Sequence, residues 1–202
     1  AVCAMHFGLV YAVFVTRSLK PMNNTVVKYY FGSIAVCSLI VAFSLISEGG
    51  YSNWGRALMD SSFTVISYMS TCGFGICDNS TWPWIAGIVL LFVSFQCGCS
   101  GSTTEGIKVD RILIAFKAIG NEIRHRIRPN AVSQVRMSGH HLTDSSVHSV
   151  MIYIVTYIIV IFVSILAVML SGSDASEAVS GVIASVGSVG PGLGELGAMD
   201  NY

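Results

Sequence analysis

The sequence contains little charge. Asp, Glu, Lys and Arg make up 11% of its 202 residues, hydrophobic residues make up 53%, and the mean hydropathy is +0.68. A soluble domain carries about 25% charged residues, so this composition excludes an ordinary soluble domain. It predicts a chain that lies largely within a bilayer, with membrane lipid as a partner.

Several other protein classes are excluded by what is missing. Acidic and basic residues balance at 11 each, which leaves no basic field for nucleic acid. No nucleophile is paired with a base and no carboxylate pair has a water-excluded setting, so we expect no enzyme activity and no organic cofactor. The six cysteines do not indicate a disulfide framework. Cys97 and Cys99 are closer together than zinc ligands usually are and are expected to pack as small hydrophobes.

Two apolar segments are long enough to span a membrane. Tyr29–Ile46 has 18 residues without a charge and Val147–Leu170 has 24, where a span needs about 20. The longer segment crosses a hydrocarbon core of about 30 Å with some tilt. Residues 1–20 are interpreted as the end of a preceding membrane helix, and the chain as an internal fragment of a longer membrane protein.

A glycine-containing stretch, which we call the first glycine loop, follows the first of these segments. Alternating glycines adopt backbone angles closed to other residues, so successive carbonyl groups can point in one direction. Such rows of carbonyl oxygens replace the hydration shell of potassium in selective pores, although two close glycines also occur in ordinary turns. The loop reads Ser70-Thr71-Cys72-Gly73-Phe74-Gly75-Ile76.

The arrangement around this loop occurs a second time. Ser188-Val189-Gly190-Pro191-Gly192 matches residues 71–75 at the hydroxyl and at both glycines, 117 residues later. Each loop follows a long apolar segment, a polar break and a short segment of mixed polarity, Trp54–Ser70 or Ser173–Val186. This internal repeat predicts two short helices that re-enter the membrane while buried in protein. We call residues 187–194 the second glycine loop.

Another apolar region is interrupted in its middle. Trp84–Phe95 and Ile107–Ile119 are apolar, but small and polar residues separate them, which is typical of a broken membrane helix. Such a break is tolerated only where it lines a water-filled path or is covered by protein. Lys108 and Arg111 follow the break, and they either face this path or extend to the cytoplasmic interface.

The positive charges predict an orientation. Ten of the eleven Lys and Arg residues lie between residues 17 and 28 or between 108 and 136. The positive-inside rule therefore places residues 17–28 and 117–145 in the cytoplasm and both glycine loops outside. His140, His141 and His148 are expected to lie in a solvated cytoplasmic linker, with metal binding or pH sensing as the alternatives.

These features together resemble the TrkH/KtrB superfamily of potassium transporters, close to its TrkH branch. Three stretches carry the resemblance, and their order and spacing are similar to the third and fourth of the family's four repeats. They are Ala57–Phe63 continued through the first glycine loop, the run from Gly101 to Arg111, and Val189–Gly194.

The resemblance implies an all-α integral membrane protein with repeated helix–pore-loop–helix units and a pseudo-fourfold, potassium-channel-like architecture. Potassium is then the transported ion, taken up across the bacterial inner membrane. The spacing does not distinguish it from sodium, because carbonyl filters differ in field strength and flexibility. Homodimers and a cytosolic nucleotide-binding regulatory ring are the partners implied. The potassium filter residues implied are Thr71, Cys72, Gly73, Phe74, Ser188, Val189, Gly190 and Pro191.

The resemblance also implies a gate beneath the filter, which we call the gate loop. Family members commonly have glycine where Thr104 and Glu105 stand, and a carboxylate here is expected to bind a cation or a basic partner. The residues of the gate loop are Gly98, Cys99, Ser100, Gly101, Ser102, Thr103, Thr104, Glu105 and Gly106.

The resulting division has two pore repeats after residues 1–20. The first, 25–136, contains a helix, a re-entrant pore helix with its filter loop (54–76), a broken helix (84–119) and a cytoplasmic end. The second, 137–202, is incomplete and contains a helix (147–170), a pore helix (173–186) and a filter loop (187–194). The alternative is a membrane scaffold or membrane enzyme whose glycine loops are packing turns.

Overall fold

The computed structural model describes residues 2–18, 22–79, 81–128, 135–137 and 140–192. Within these ranges helices dominate, and one pair of two-residue antiparallel strands joins Arg136–Met137 (β1) to His140–His141 (β2). A short 3₁₀ helix covers Val2–Ala4. The α-helices are α1 (Phe7–Thr16), α2 (Thr25–Ser47), α3 (Trp54–Met69), α4 (Trp84–Gln96), α5 (Val109–Ile127), α6 (Asp144–Leu170) and α7 (Ala175–Val186).

Side-chain caps define where four of these helices begin. Each cap residue precedes its helix and accepts a hydrogen bond from the backbone N–H two residues later, which satisfies a donor that has no partner inside the helix. The cap residues are His6, Asn24, Asn53 and Asp174. The cap at Asn24 begins α2 at Thr25, four residues before the charge-free segment that the sequence analysis used. Lys28 therefore lies within the first turn of α2.

The main core forms around α2. Its buried face includes Tyr30, Val41 and Leu45, which belong to the same cluster as Val65 of α3 and Leu90 of α4. Because α2 packs against both α3 and α4, it fixes the short helix that carries the first glycine loop. A smaller cluster joins Ile161 of α6 to Val182 and Ile183 of α7, and thereby fixes the helix that carries the second.

Two helices are long and apolar enough to cross a bilayer, α2 and α6. They differ in burial, since 44% of the apolar window of α2 is buried within the chain but only 6% of that of α6. The sides of α6 that face away from α5 and α7 therefore present apolar side chains such as Ile159 and Phe162. This surface suits contact with lipid or with further membrane helices.

Candidate functional site

The helices α3 and α7 end with the same backbone geometry. After α3, the N–H of Thr71 donates to the carbonyl of Tyr68 at 3.2 Å, and the N–H of Cys72 donates to Ser67 at 3.0 Å. After α7, the N–H of Ser188 donates to Ser185 at 3.1 Å, and that of Val189 donates to Ala184 at 2.8 Å. Both ends form the paired hydrogen bonds of a Schellman motif.

In both loops, the residue that ends the Schellman motif in a left-handed conformation is not glycine. Thr71 has φ +52° and Ser188 has φ +50°, a region that glycine usually occupies at helix ends and that is uncommon for a β-branched residue. The next but one residue also has positive φ in both loops, at Gly73 and Gly190. The positions matched by sequence therefore share an unusual backbone conformation as well.

The two glycine loops lie against each other. A Cβ added to Gly73 would lie 2.9 Å from the carbonyl oxygen of Val189, a distance that real Cβ atoms do not tolerate, and a Cβ on Gly190 would lie 3.8 Å from the Cα of Gly73. Gly73 also has φ +73°. Only glycine fits at position 73 without moving the second loop.

The Tyr68 side chain, in the last turn of α3, forms a hydrogen bond with the second glycine loop. Its buried hydroxyl donates to the carbonyl oxygen of Gly192 at 3.0 Å and accepts a hydrogen bond from Asn79 Nδ2 at 2.9 Å. Because the Gly192 carbonyl is directed at this hydroxyl, it is held by the protein. Sequence reasoning did not identify the bond between Tyr68 and Gly192, because these residues are 124 positions apart.

The predicted filter residues differ in exposure. The side chains of Val189 and Pro191 are buried, whereas Cys72 and Phe74 are exposed, Phe74 to 72%. The equivalent residues Cys72 and Val189 therefore have different surroundings. Leu193 and Gly194, the last residues of the second glycine loop, lie outside the described residues.

The gate loop is closed at its base by backbone hydrogen bonds. The N–H of Ile107 donates to Phe95 at 3.2 Å, and the N–H of Val109 donates to Gly98 at 3.0 Å. Cys97 and Lys108, which flank the loop, both have positive φ, at 49° and 73°. The chain thus leaves α4 and returns to α5 at nearly the same place.

Inside the gate loop, Thr104 supplies the central hydrogen bonds. Its hydroxyl accepts from the N–H of Gly98 at 3.2 Å and lies 2.7 Å from Ser102 Oγ, while Ser102 Oγ lies 2.6 Å from the carbonyl of Cys99. The Thr104 side chain is 2% exposed. Thr104 therefore stabilises the loop internally.

The N-terminal segment forms a wall of the gate loop. The N–H of Cys99 donates to the carbonyl of Ala4 at 2.8 Å, and the N–H of Phe7 donates to the carbonyl of Gly101 at 3.2 Å. A Cβ on Gly101 would lie 3.0 Å from the His6 ring. No sequence signal connected these distant residues to the loop.

Glu105 contacts the second glycine loop. Ser188 Oγ donates a hydrogen bond to Glu105 Oε2 at 2.8 Å, and this carboxylate is exposed whereas its neighbours Thr104 and Gly106 are buried. The partner that the structure shows for Glu105 is thus a hydroxyl, whereas a cation or a basic side chain was expected from the sequence.

The two cations after the gate loop have different contacts. Lys108 Nζ lies 3.5 Å from the carbonyl oxygen of Ser102, while the Arg111 guanidinium lies 3.8 Å from the centre of the Tyr153 ring. Arg111 therefore joins α5 to α6 through a cation–π contact.

A polar cleft of about 590 Å³ lies beside the start of α3, and its lining includes Glu48, Arg56 and Asp78. At its edge, Tyr51 donates to Asp60 at 2.8 Å. Burial, and after it the hydrogen bond to Asp60, raises the pKa of Tyr51 to about 12. Across the described residues, no three His, Cys, Asp or Glu side chains form a group that would hold a metal ion.

Comparison with known proteins identifies the family to which the chain belongs. Residues 48–200 match the family model TrkH, described as a cation transport protein. The chain is 31% identical over 202 residues to the Trk system potassium uptake protein TrkH of Escherichia coli K12, covering 98% of this chain and 41% of that protein. It is 31% identical over 191 residues to TrkG of the same organism, covering 95% and 39%.

A solved structure shares the fold. The crystal structure of the potassium transporter TrkH from Vibrio parahaemolyticus superposes with a TM-score of 0.88 at 29% identity. The match covers 96% of this chain and 42% of that chain. The chain thus spans about two fifths of the length of the relatives that it matches.

Proposed function

Because the chain belongs to the TrkH family of cation transport proteins, we propose that it forms part of a pathway for potassium uptake across a bacterial inner membrane. The observation that carries this proposal is the pair of glycine loops, which end two short helices with the same backbone geometry and meet at Gly73 and Gly190. Relatives named as potassium uptake proteins support the choice of ion.

The glycine loops are the filter in this proposal. Carbonyl groups of residues 71–74 and 188–191 replace part of the hydration shell of potassium, and two further repeats complete a pseudo-fourfold ring. The C-terminal ends of α3 and α7 lead directly into the loops. A helix C-terminus carries a partial negative charge, so both helices would stabilise a cation near the loops.

The gate loop obstructs the path beneath the filter. Its contact with the second glycine loop through Glu105 and Ser188 supports this placement, and its internal hydrogen bonds allow it to move as a unit. A homodimer and a cytosolic nucleotide-binding ring are the assembly that the family resemblance suggests. The distribution of Lys and Arg supports filter loops that face outside.

The alternative is a membrane scaffold or enzyme in which the glycine loops are packing turns. The positive φ of Thr71 and Ser188 argues against it. A turn selected only for packing would take glycine at these positions, where other residues are strained. Because the same strained backbone occurs at two equivalent positions, we infer that both glycine loops need it to orient their carbonyl groups.

The test is potassium and sodium uptake by the complete protein in a bacterium deficient in potassium uptake. We expect the wild type to restore growth at low potassium, and Gly73→Ser to lose rescue or selectivity while still inserting in the membrane. Gly49→Ser is the matched control, because Gly49 has φ +74° but open space around a Cβ. Equal behaviour of wild type and Gly73→Ser would favour the scaffold.

A further inference from the structure

The contact between Glu105 and Ser188 joins two parts of the molecule that are 83 residues apart in sequence. Ser188 is the second residue after the end of α7, so it lies near the start of the second glycine loop. Glu105 belongs to the gate loop, whose ends are fixed to α4 and α5. The hydrogen bond therefore fastens one loop to the other.

The gate loop holds Glu105 in this orientation. On one side, the buried Thr104 hydroxyl accepts from the N–H of Gly98. On the other, Gly106 has φ +79° and its added Cβ would lie 2.6 Å from Cys97 Sγ. With both neighbours fixed, the exposed Glu105 side chain extends from the loop toward Ser188.

The two glycine loops differ at this position. Thr71 is the equivalent of Ser188 and has nearly the same φ, but no described residue forms a hydrogen bond with the Thr71 hydroxyl, whereas Ser188 donates to a carboxylate. A hydrogen bond to an ionised acceptor is stronger than one between neutral groups. The gate loop is thus attached to the second glycine loop specifically.

We propose that Glu105 is a positioning residue that latches the gate loop to the inner end of the second filter loop. The gate loop must break the bond to Ser188 before it leaves the ion path, so the bond favours the closed state. This inference rests on the proposed function, because it requires that the gate loop obstructs a conducting path.

A carboxylate at the inner end of a filter has a competing role, since it also raises the local concentration of cations. The two roles give different signals. A latch changes the fraction of time for which the path is open, and its effect vanishes when Ser188 cannot donate. Attraction of cations changes the current through the open path, falls with ionic strength, and does not require the Ser188 hydroxyl.

The experiment is single-channel recording of the complete protein in planar bilayers, for wild type, Glu105→Ala, Ser188→Ala and the double variant. We expect each single variant to raise the open probability about tenfold, the change given by losing roughly 1.4 kcal/mol of closed-state stability. The double variant should match the single variants, because all three lack one bond.

Three controls separate the outcomes. Glu105→Gln keeps the shape of the side chain and a neutral hydrogen-bond acceptor, so it should raise the open probability less than Glu105→Ala does. If Glu105→Ala does not insert in the membrane, Glu105→Gln takes its place in the comparison. Glu122→Ala removes a carboxylate from an exposed ion pair with Arg126 and should change nothing. Wild-type current selective for potassium supports the proposed function independently of the latch.

The result that overturns the latch is additivity of the two substitutions, or an unchanged open probability. A smaller current at low ionic strength in Glu105→Ala, with unchanged open probability, would assign Glu105 to cation attraction. Absence of wild-type current would overturn the proposed function together with the latch.

Discussion

The hydroxyl of Tyr68 donates a hydrogen bond to the carbonyl oxygen of Gly192 at 3.0 Å, across 124 residues of sequence. Tyr68 lies in the last turn of α3, while Gly192 lies in the second glycine loop. The helix that ends in one loop therefore supports the other. The two loops are not independent structures.

The Tyr68 bond predicts the effect of Tyr68→Phe. This variant leaves the Gly192 carbonyl and the Asn79 amide without their buried partner, which costs about 1–3 kcal/mol. We expect a lower thermal unfolding temperature in detergent and a reduced preference for potassium over sodium uptake. Tyr11→Phe, at a site that is 70% exposed, should change neither. An unaltered ion preference in Tyr68→Phe would show that the bond does not shape the filter.

The facing glycines predict a graded response to alanine. Gly73→Ala adds a Cβ at 2.9 Å from a backbone oxygen, whereas Gly190→Ala adds one at an ordinary contact distance of 3.8 Å. Both variants carry the strain of a positive φ, about 1–2 kcal/mol, and Gly73→Ala adds overpacking of about 1–3 kcal/mol. Potassium uptake should therefore fall further in Gly73→Ala. Similar losses at both sites would contradict the observed loop contact.

The wall of the gate loop predicts a destabilising substitution. A Cβ on Gly98 would lie 2.6 Å from both the Ala4 carbonyl oxygen and Thr104 Oγ1. Gly98→Ala should therefore destabilise the protein by about 1–3 kcal/mol and loosen the loop, which limited proteolysis or cysteine labelling of Cys99 would detect. Gly120→Ala is the control, because Gly120 is inside α5 with open space and alanine favours helix by about 1 kcal/mol. Equal stability of the two variants would be the contrary result.

The contact between Arg111 and Tyr153 predicts a difference between arginine and lysine. The guanidinium lies 3.8 Å from the ring centre, and a planar guanidinium stacks on an aromatic ring as an ammonium does not. Arg111→Lys and Tyr153→Leu should each lower stability by about 0.5–2 kcal/mol, and the pair should be non-additive in a double-mutant cycle. Arg126→Lys, in an ion pair with 80% of its side chain exposed, should have little effect.

The sequence was sufficient to locate α3, α4, α6 and α7 to within three residues. Charge-free runs and glycines are local signals, and α6 differs from its predicted segment only by the three added residues at its start. The start of α2 was misplaced because the absence of charge was used as its boundary. The cap at Asn24 is also a local signal and would have placed the helix start correctly.

The contacts of the gate loop were not predictable in the same way. Cys97 and Lys108 adopt positive φ because tertiary contacts override their local preference, and residue type alone does not indicate it. Ala4 and His6 are far from the loop in sequence and have no motif. The partner of Glu105 depends on how α4 and α7 pack, which no spacing in the sequence encodes.

The wall formed by Ala4 and His6 also limits how the molecule can be recombined. Exchange of residues 97–108 alone with those of a relative would place a foreign loop against an unchanged wall, where a Cβ at position 98 would lie 2.6 Å from the Ala4 carbonyl oxygen. Segments 3–7 and 97–108 would have to be transferred together. We therefore expect substitutions in residues 3–7 to covary with substitutions in residues 97–108 among related proteins.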